Sequence, residues 1–444
     1  MTLNEIITLN KTDCDCKKIH KSCLDGVIIE NGAICKLANA AKRYDAKKAF
    51  LLSDPNTYEA AGKIAQEILK SEGIEVVSYV LPDKKPKPDE KSVGSVIMHY
   101  DSSCDIIIAA GSGVINDIGK ILASTADKPY IIVATAPSVD GYASSTSSMD
   151  RDGLKISLNS KCANIIIGDI DILKNAPLKM LRSGLGDMLA KYTALCEWRI
   201  SSTVTDEYYC EYVASLVRYA TKRCIDNADR LLSRDDEAVK AVFEGLIISG
   251  LAMNFAGCSR PASGVEHYFS HLWDMRALEF GAPAELHGLQ CASGFLSATQ
   301  AYTKLKAITP CKEKALAGAK SFNVNEWNST LREFLGKGAE PMINVGVTEK
   351  RYDTKAHIQR LDKIINKWND ILLAIDEELL PLDEAKALFK RLDMPDIHRE
   401  LSLDEDQLIL TFKATKDIRA KYILSTLLWD IGELENPALL SALK

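Results

Sequence analysis

Short apolar runs that end in polar turn residues alternate with segments of helical spacing over the first 178 residues. Residues 48–54, 74–81, 105–110, 130–134 and 163–169 read as buried strands, and 25–32 as a shorter run closed by a turn signal. Between them, Ile64, Ile68 and Leu69 share one helix face, and 93–100 forms another helical segment. The loop 82–89, rich in proline and charge, is a solvated connection. This alternation predicts a parallel sheet with helices on both faces, and ligands beyond the carboxyl ends of its strands. Asp150-Arg-Asp-Gly-Leu154 interrupts the pattern as a hairpin turn.

After about residue 178 helical periodicity takes over. The stretch 183–193 opens the first of these helices. Asp187 lies close to its predicted start, where the helix dipole favours a carboxylate. The mostly apolar stretch 236–257 predicts a buried helix that supports the segment after it. Ile358, Leu361, Ile364, Ile365, Trp368, Ile371 and Leu372 keep helical spacing, and Ser402-Leu-Asp-Glu405 resembles a capping box. The predicted architecture is an α/β domain over 1–178 and an all-helical domain over 179–444, with the functional site in the crevice between them.

A chain of 444 residues is too long for one core, which agrees with that division. Its 46% hydrophobic and 26% charged content is that of a soluble globular protein. A net charge of -6 gives no attraction to nucleic acid or an anionic membrane, although local groups can still bind one phosphate. The twelve cysteines include no Cys-x-x-Cys, and the spacing of Cys14-Asp-Cys16 is not that of a zinc ribbon. The start of the chain lacks the basic segment and apolar core of a signal peptide. The most apolar long stretch, 242–257, contains Glu244 and is too short to span a bilayer. No membrane insertion and a cytoplasmic location are therefore expected.

Three of the seven histidines fall between 267 and 287. His267 and His271 are four residues apart, one helical turn, and His287 follows in Glu285-Leu-His-Gly288. Imidazoles so spaced suit a metal ion or a proton relay, but a bare His-x3-His is as often an ordinary helix surface. Two strand ends in the first half also stand out. Gly111-Ser-Gly-Val-Ile-Asn-Asp117 opens a helix, where small residues and free N–H groups suit a diphosphate. In the loop Thr135-Ala-Pro-Ser-Val-Asp-Gly141, Thr135 and Ser138 offer hydroxyls, as does Ser144 just beyond it, and Asp140 offers an acceptor.

Taken together and in order, these motifs resemble the sn-glycerol-1-phosphate dehydrogenase family. It lies within the larger group of glycerol dehydrogenases, iron-containing alcohol dehydrogenases and dehydroquinate synthases. The resemblance rests on the motifs at 111–117 and 135–141, on Gly-Leu-Gly-Asp-Met-Leu-Ala-Lys at 184–191, on Arg-Pro-Ala-Ser-Gly-Val-Glu-His at 260–267 and on Leu-His-Gly at 286–288. The tail Lys416-Asp-Ile-Arg-Ala-Lys-Tyr422 is similar to that of longer bacterial members.

The resemblance implies a dehydroquinate synthase-like fold, with a dinucleotide-binding α/β domain and a helical metal- and substrate-binding domain. It implies NAD or NADP on Asp54, Gly113, Val114, Ile115, Asn116, Asp117, Thr135, Ala136, Pro137, Ser138 and Ser144. It implies one divalent ion (zinc, nickel or iron) on Asp187, His267 and His287. Asp140, Asp187 and His271 would contact substrate, with Asp187 and His271 at the reacting centre. The implied substrate is a small phosphorylated triol or its ketone, and the implied assembly a homodimer or larger homo-oligomer. Leu289 departs from the pattern, since family members commonly carry an acid there, and the added length between about 305 and 400 has no assigned chemistry. Competing readings are oxidation of free glycerol or another polyol, a cyclase of the dehydroquinate synthase type, and a binding protein that kept only the fold.

Overall fold

A computed structural model describes residues 2–443. The chain separates into two compact units. The first comprises residues 1–188 and 215–258, the second residues 189–214 and 259–444.

The first unit is built on a six-stranded parallel sheet. Its strands are β1 (Gly26–Glu30), β2 (Lys48–Ser53), β3 (Glu75–Val80), β4 (Ile106–Gly111), β5 (Tyr130–Ala134) and β6 (Ile165–Asp169). They lie in the order β1-β6-β5-β4-β2-β3. The central strands are continuous isoleucine, valine and alanine runs because both faces of a parallel sheet are covered; every residue of β4, β5 and β6 is buried. After β2 the chain moves outward to β3, and after β4 it moves the other way to β5. The connections therefore diverge between β2 and β4, whose ends register through Leu52 and Ala109. Divergence of this kind opens a crevice at the carboxyl ends of the strands, which is where such sheets bind ligands.

Helix α1 (Gly113–Ala126) follows β4 and ends at Asp127, which takes a left-handed conformation. The predicted hairpin forms between Thr146–Arg151 and Leu154–Asn159. Asp152 and Gly153 both have positive φ at its two-residue turn, the twist that matches paired strands. At the end of β6, the buried Asp169 carboxylate accepts N–H groups from Gly32, Ile34 and Asp171 at 3.0–3.1 Å. Asp169→Ala leaves these donors unmet and is expected to lower stability by about 2–3 kcal/mol. Chemical denaturation is the check, and an unchanged midpoint would remove this role.

Helix α2 (Leu178–Thr205) contains the boundary between Met188 and Leu189. Helix α3 (Asp236–Ala256) belongs to the first unit, where its Phe243 ring packs against Gly168. Among the described residues α3 alone is long and apolar enough to cross a membrane, and most of it is buried as a core helix.

The second unit is helical. Its centre is formed by α4 (Val265–Phe280), α5 (His287–Leu305) and a helix over Glu405–Thr415, with Phe269, Leu272 and Phe412 in their shared core. The added stretch after 305 folds as further short helices, and Leu331, Phe334, Leu361 and Ile375 join that same core. The periodic run 358–372 is broken at Lys367, between helices Thr354–Asn366 and Trp368–Glu378. The capping box lies two residues later than expected: Asp404 and Gln407 make it, while Ser402 has a positive φ. An Asp-x-x-Gln pair does the same work as Ser-x-x-Glu, and Ser402 is used by the preceding turn.

Candidate active site

In the first unit, the carboxyl ends of β2, β4 and β5 carry the residues expected to bind coenzyme. Asp54, directly after β2, is buried and caps a short helix by accepting the Asn56 and Thr57 N–H groups. Gly113 is the first residue of α1, so the backbone N–H groups of Gly113, Val114 and Ile115 lie in its open first turn. Thr135, Ala136 and Ser138 are buried beyond β5, and the Thr135 N–H donates to the carbonyl of Gly111 at 3.0 Å. Parallel pairing of Gly111 with Ala134 sets these two loops side by side.

Asn116 and Asp117 have structural duties. The Asn116 amide donates to the carbonyl of Gly141, and its carbonyl accepts from the Tyr130 hydroxyl. Asp117 accepts the Ser148 N–H and pairs with Lys120 at 2.9 Å. The fully buried Lys120 ammonium also donates to the carbonyls of Gly141 and Thr146. Sequence reasoning missed Lys120, although its place one turn after Asp117 was the available signal. Ser144 bonds its neighbour Thr146 through backbone and side chain. Lys120→Met removes two bonds to the 141–146 loop and the ion pair with Asp117. It is expected to raise KM for the coenzyme by roughly tenfold, read by steady-state kinetics, because loops held by buried donors lose their set geometry when those donors go.

Asp187 is not near a helix start. Helix α2 begins at Leu178, so Asp187 is interior to it and the dipole gives its carboxylate no support. It is fully buried and accepts the Asp140 N–H at 2.9 Å. The Asp140 carboxylate in turn accepts from the Ser249 hydroxyl of α3. A cation is an ordinary companion of a carboxylate buried to this extent.

In the second unit, α4 and α5 bring three imidazoles together. Ring centroids lie 5.0 Å apart for His267 and His287, 6.0 Å for His271 and His287, and 6.4 Å for His267 and His271. His267 Nδ1 is 2.9 Å from the Glu266 carboxylate, and His287 Nδ1 is 2.9 Å from the Ser270 hydroxyl. With Nδ1 engaged in this way, each ring has Nε2 to offer a metal ion. The Cys291 thiol, one turn after His287, lies 3.5 Å from His287 Nε2, and donor atoms of His267, His287 and Cys291 lie within 4.8 Å of one another. Glu266, Ser270 and Cys291 were not foreseen as part of the site, although Glu266 sits beside His267 in the Gly-Val-Glu-His motif.

Burial works to raise the Glu266 pKa, but hydrogen bonds from His267, Thr193 and the Gly264 N–H outweigh it and hold the group below the usual carboxylate range. Glu197 goes the other way, pushed up to about 8 by burial and by the neighbouring Glu266 charge, against N–H bonds from Leu424 and Val265. Its folded-state pKa is thus raised, so the stability it contributes is complete below its ordinary value of 4.5 and is lost progressively as pH rises from there through about 8. Glu197→Gln, which mimics the protonated form, should flatten that fall in thermal unfolding profiles between about pH 5 and pH 8; an unchanged slope would refute the assignment.

The segment before α4 is fixed by Arg260, which is buried and donates to Glu207, to Ser201 and to the carbonyl of Tyr422. Lys421 donates to the carbonyl of Ser263. The motif at 260–267 and the tail motif at 416–422 are therefore two sides of one packed segment.

Known proteins resemble this chain in sequence and in fold. The family described as iron-containing alcohol dehydrogenase matches residues 28–177. A glycerol-1-phosphate dehydrogenase [NAD(P)+] of Halalkalibacterium halodurans is 34% identical over 62% of this chain and 70% of its own length. That of Bacillus subtilis is 32% identical, over 67% of this chain and 77% of its own. The chain belongs to the glycerol-1-phosphate dehydrogenase family. A glycerol-1-phosphate dehydrogenase [NAD(P)+] of Thermococcus sibiricus is 36% identical over 58% of this chain and 72% of its own. The fold is shared more widely. A probable glycerol dehydrogenase from Sinorhizobium meliloti superposes with a TM-score of 0.58 at 15% identity, covering 95% of each chain. Leu289 is buried in the core of the helical unit.

Proposed function

We propose that this protein is a metal- and NAD(P)-dependent sn-glycerol-1-phosphate dehydrogenase that reversibly reduces dihydroxyacetone phosphate to sn-glycerol 1-phosphate. The observation that carries the reading is the pair His267 and His287, each with Nδ1 engaged, in a chain similar over most of its length to glycerol-1-phosphate dehydrogenases. The α/β part is assigned to coenzyme and the helical part to metal and substrate. Asp187, His267 and His287 are the proposed ligands of one zinc, nickel or iron ion, a set that leaves positions open for an oxygen of the substrate. The donor chemistry fits: two imidazoles oriented by Glu266 and Ser270, and one buried carboxylate.

An ion held there would supply Lewis acidity for the substrate carbonyl, and a bound nicotinamide would supply the hydride. The protein's own groups hold and orient. Asp140, whose backbone N–H donates to Asp187, would accept a hydrogen bond from a substrate hydroxyl. His271, one turn from His267, orients the reacting oxygen and moves its proton. Asp54 would accept a hydrogen bond from a ribose 2′-hydroxyl, which favours NAD; Lys47 and Lys48, which could have softened that preference, stand at the other end of the strand, roughly 20 Å along it, where Lys48 pairs with Glu75 and Asp101. A cytoplasmic homodimer completes the proposal.

Turnover of dihydroxyacetone phosphate against dihydroxyacetone, followed through NADH loss, is the test. Preference for the phosphorylated ketone is expected. Preference for the free ketone would replace this reading with a polyol dehydrogenase, and turnover without net NADH change would point to the cyclase.

A further inference from the structure

The hairpin near the start of the chain gathers two cysteines and a histidine, residue types that ligate metals, apart from the histidines of the helical unit. Its strands, Asn10–Lys11 and His20–Lys21, pair antiparallel with Lys11 opposite His20. Between them the chain turns at Cys14, whose carbonyl accepts the Lys17 N–H at 2.8 Å, and Lys17 has a φ of 62°. The turn gathers the sulfurs of Cys14 and Cys16 and the ring of His20 so that their donor atoms lie within 4.8 Å of one another. Cys16 Sγ is 3.2 Å from His20 Nε2. His20 Nδ1 is 2.9 Å from the carbonyl oxygen of Phe255. A carbonyl only accepts, so Nδ1 carries the proton and Nε2 presents its lone pair toward the sulfurs. Cys14 and His20 are buried, and Cys16 is half-buried.

We propose that Cys14, Cys16 and His20 bind a structural zinc ion. Two thiolates and one neutral imidazole are soft donors, and their net charge cancels that of a divalent ion. Donors around tetrahedral zinc stand about 3.5–3.8 Å apart, given Zn–S near 2.3 Å and Zn–N near 2.0 Å, so the observed spacing closes on an ion with small side-chain movements. Three donors leave one place for a further donor. On binding, each thiol releases its proton to solvent. The hairpin has a use for the ion, because its strands are two residues long and most of the loop between them is exposed. A short hairpin with so little apolar cover gains its fixed shape from a bound metal rather than from a core. Cys14-Asp-Cys16 has no zinc-ribbon spacing. The hairpin pairing adds His20 and turns the pair into a three-donor cluster.

The test uses the full chain carrying His267→Ala and His287→Ala, which removes two proposed ligands of the catalytic ion. As purified it is expected to hold about one equivalent of zinc by elemental analysis. Replacement by cobalt(II) should give thiolate-to-metal charge-transfer absorption in the near ultraviolet. Adding Cys14→Ser and Cys16→Ser should abolish both signals. In the otherwise unaltered chain, Cys14→Ser with Cys16→Ser should lower Tm, while the other metal equivalent stays in place. If the serine variants do not fold, the cobalt spectrum of the histidine variant still decides. The proposal is overturned if that spectrum lacks a thiolate band, if Cys14 and Cys16 react with a thiol reagent equally fast with and without added zinc, or if they are joined in a disulfide.

Discussion

His287→Ala is expected to lose the catalytic metal and at least about a thousandfold of kcat/KM together. A metal Lewis acid supplies several kcal/mol of charge stabilisation, and about 4 kcal/mol corresponds to three powers of ten in rate. The structure makes this side chain hard to replace. His287 is the first residue of α5, its Nδ1 is engaged by Ser270 from α4, and its ring lies 5.0 Å from that of His267. His267→Ala should behave the same way. Glu266→Gln, which keeps a hydrogen-bond acceptor for His267 but loses the charge, should weaken metal affinity by about 10–100-fold and leave turnover recoverable at high metal. His271→Ala differs in kind: metal content stays and kcat falls by about a hundredfold, as for a lost proton-transfer group. Metal content and kcat measured on all four variants decide the matter. A His287→Ala protein that kept both metal and rate would remove the proposed centre, and a His271→Ala protein with unchanged kcat would remove only the role given to His271.

Much of the fold was legible because parallel strands buried on both faces cannot hide. Ile106 to Ile108, Ile131 to Val133 and Ile165 to Ile167 are unbroken apolar runs, and all are central strands. The turn at Asp152-Gly153 was equally plain, since few residue pairs accept two positive φ values in succession. What failed to show was anything set by contacts distant in sequence. The start of α2 was misplaced because Leu178 to Arg182 carries no capping residue to announce it. Helix α3 reads simply as apolar, and nothing in that composition says that Phe243 fits against Gly168 or that Ser249 reaches Asp140. The histidines were visible from their spacing, whereas the groups that orient them were not. Ser270 is an unremarkable serine until α4 and α5 pack together, and Cys291 is one thiol among twelve.

Gly184→Ala is the second change expected to have a large effect, and it acts without touching any proposed ligand. A Cβ on Gly184 would stand 1.8 Å from the Pro137 carbonyl oxygen and 2.8 Å from its carbon. Both partners are backbone, so no side chain can swing aside. Helix α2 and the 135–141 loop must separate, at a cost above the usual 1–3 kcal/mol of overpacking and on the order of 4 kcal/mol. Next to it the Ser183 hydroxyl donates to the Ser138 carbonyl, and one turn further Asp187 accepts the Asp140 N–H. Separation therefore breaks the contacts that align the coenzyme loop with Asp187, both within the first unit. The expected result is a lower Tm together with a kcat/KM reduced by about a hundredfold or more, because a misplacement of about 1 Å costs that much in a positioned site. Gly94→Ala is the control. Gly94 lies within helix Glu90–His99 with open space where its Cβ would go, and alanine there should raise stability by about 0.5–1 kcal/mol without altering kinetics. Gly184→Ala with native Tm and native kcat/KM would mean that the approach of α2 to Pro137 is not what sets the position of Asp187.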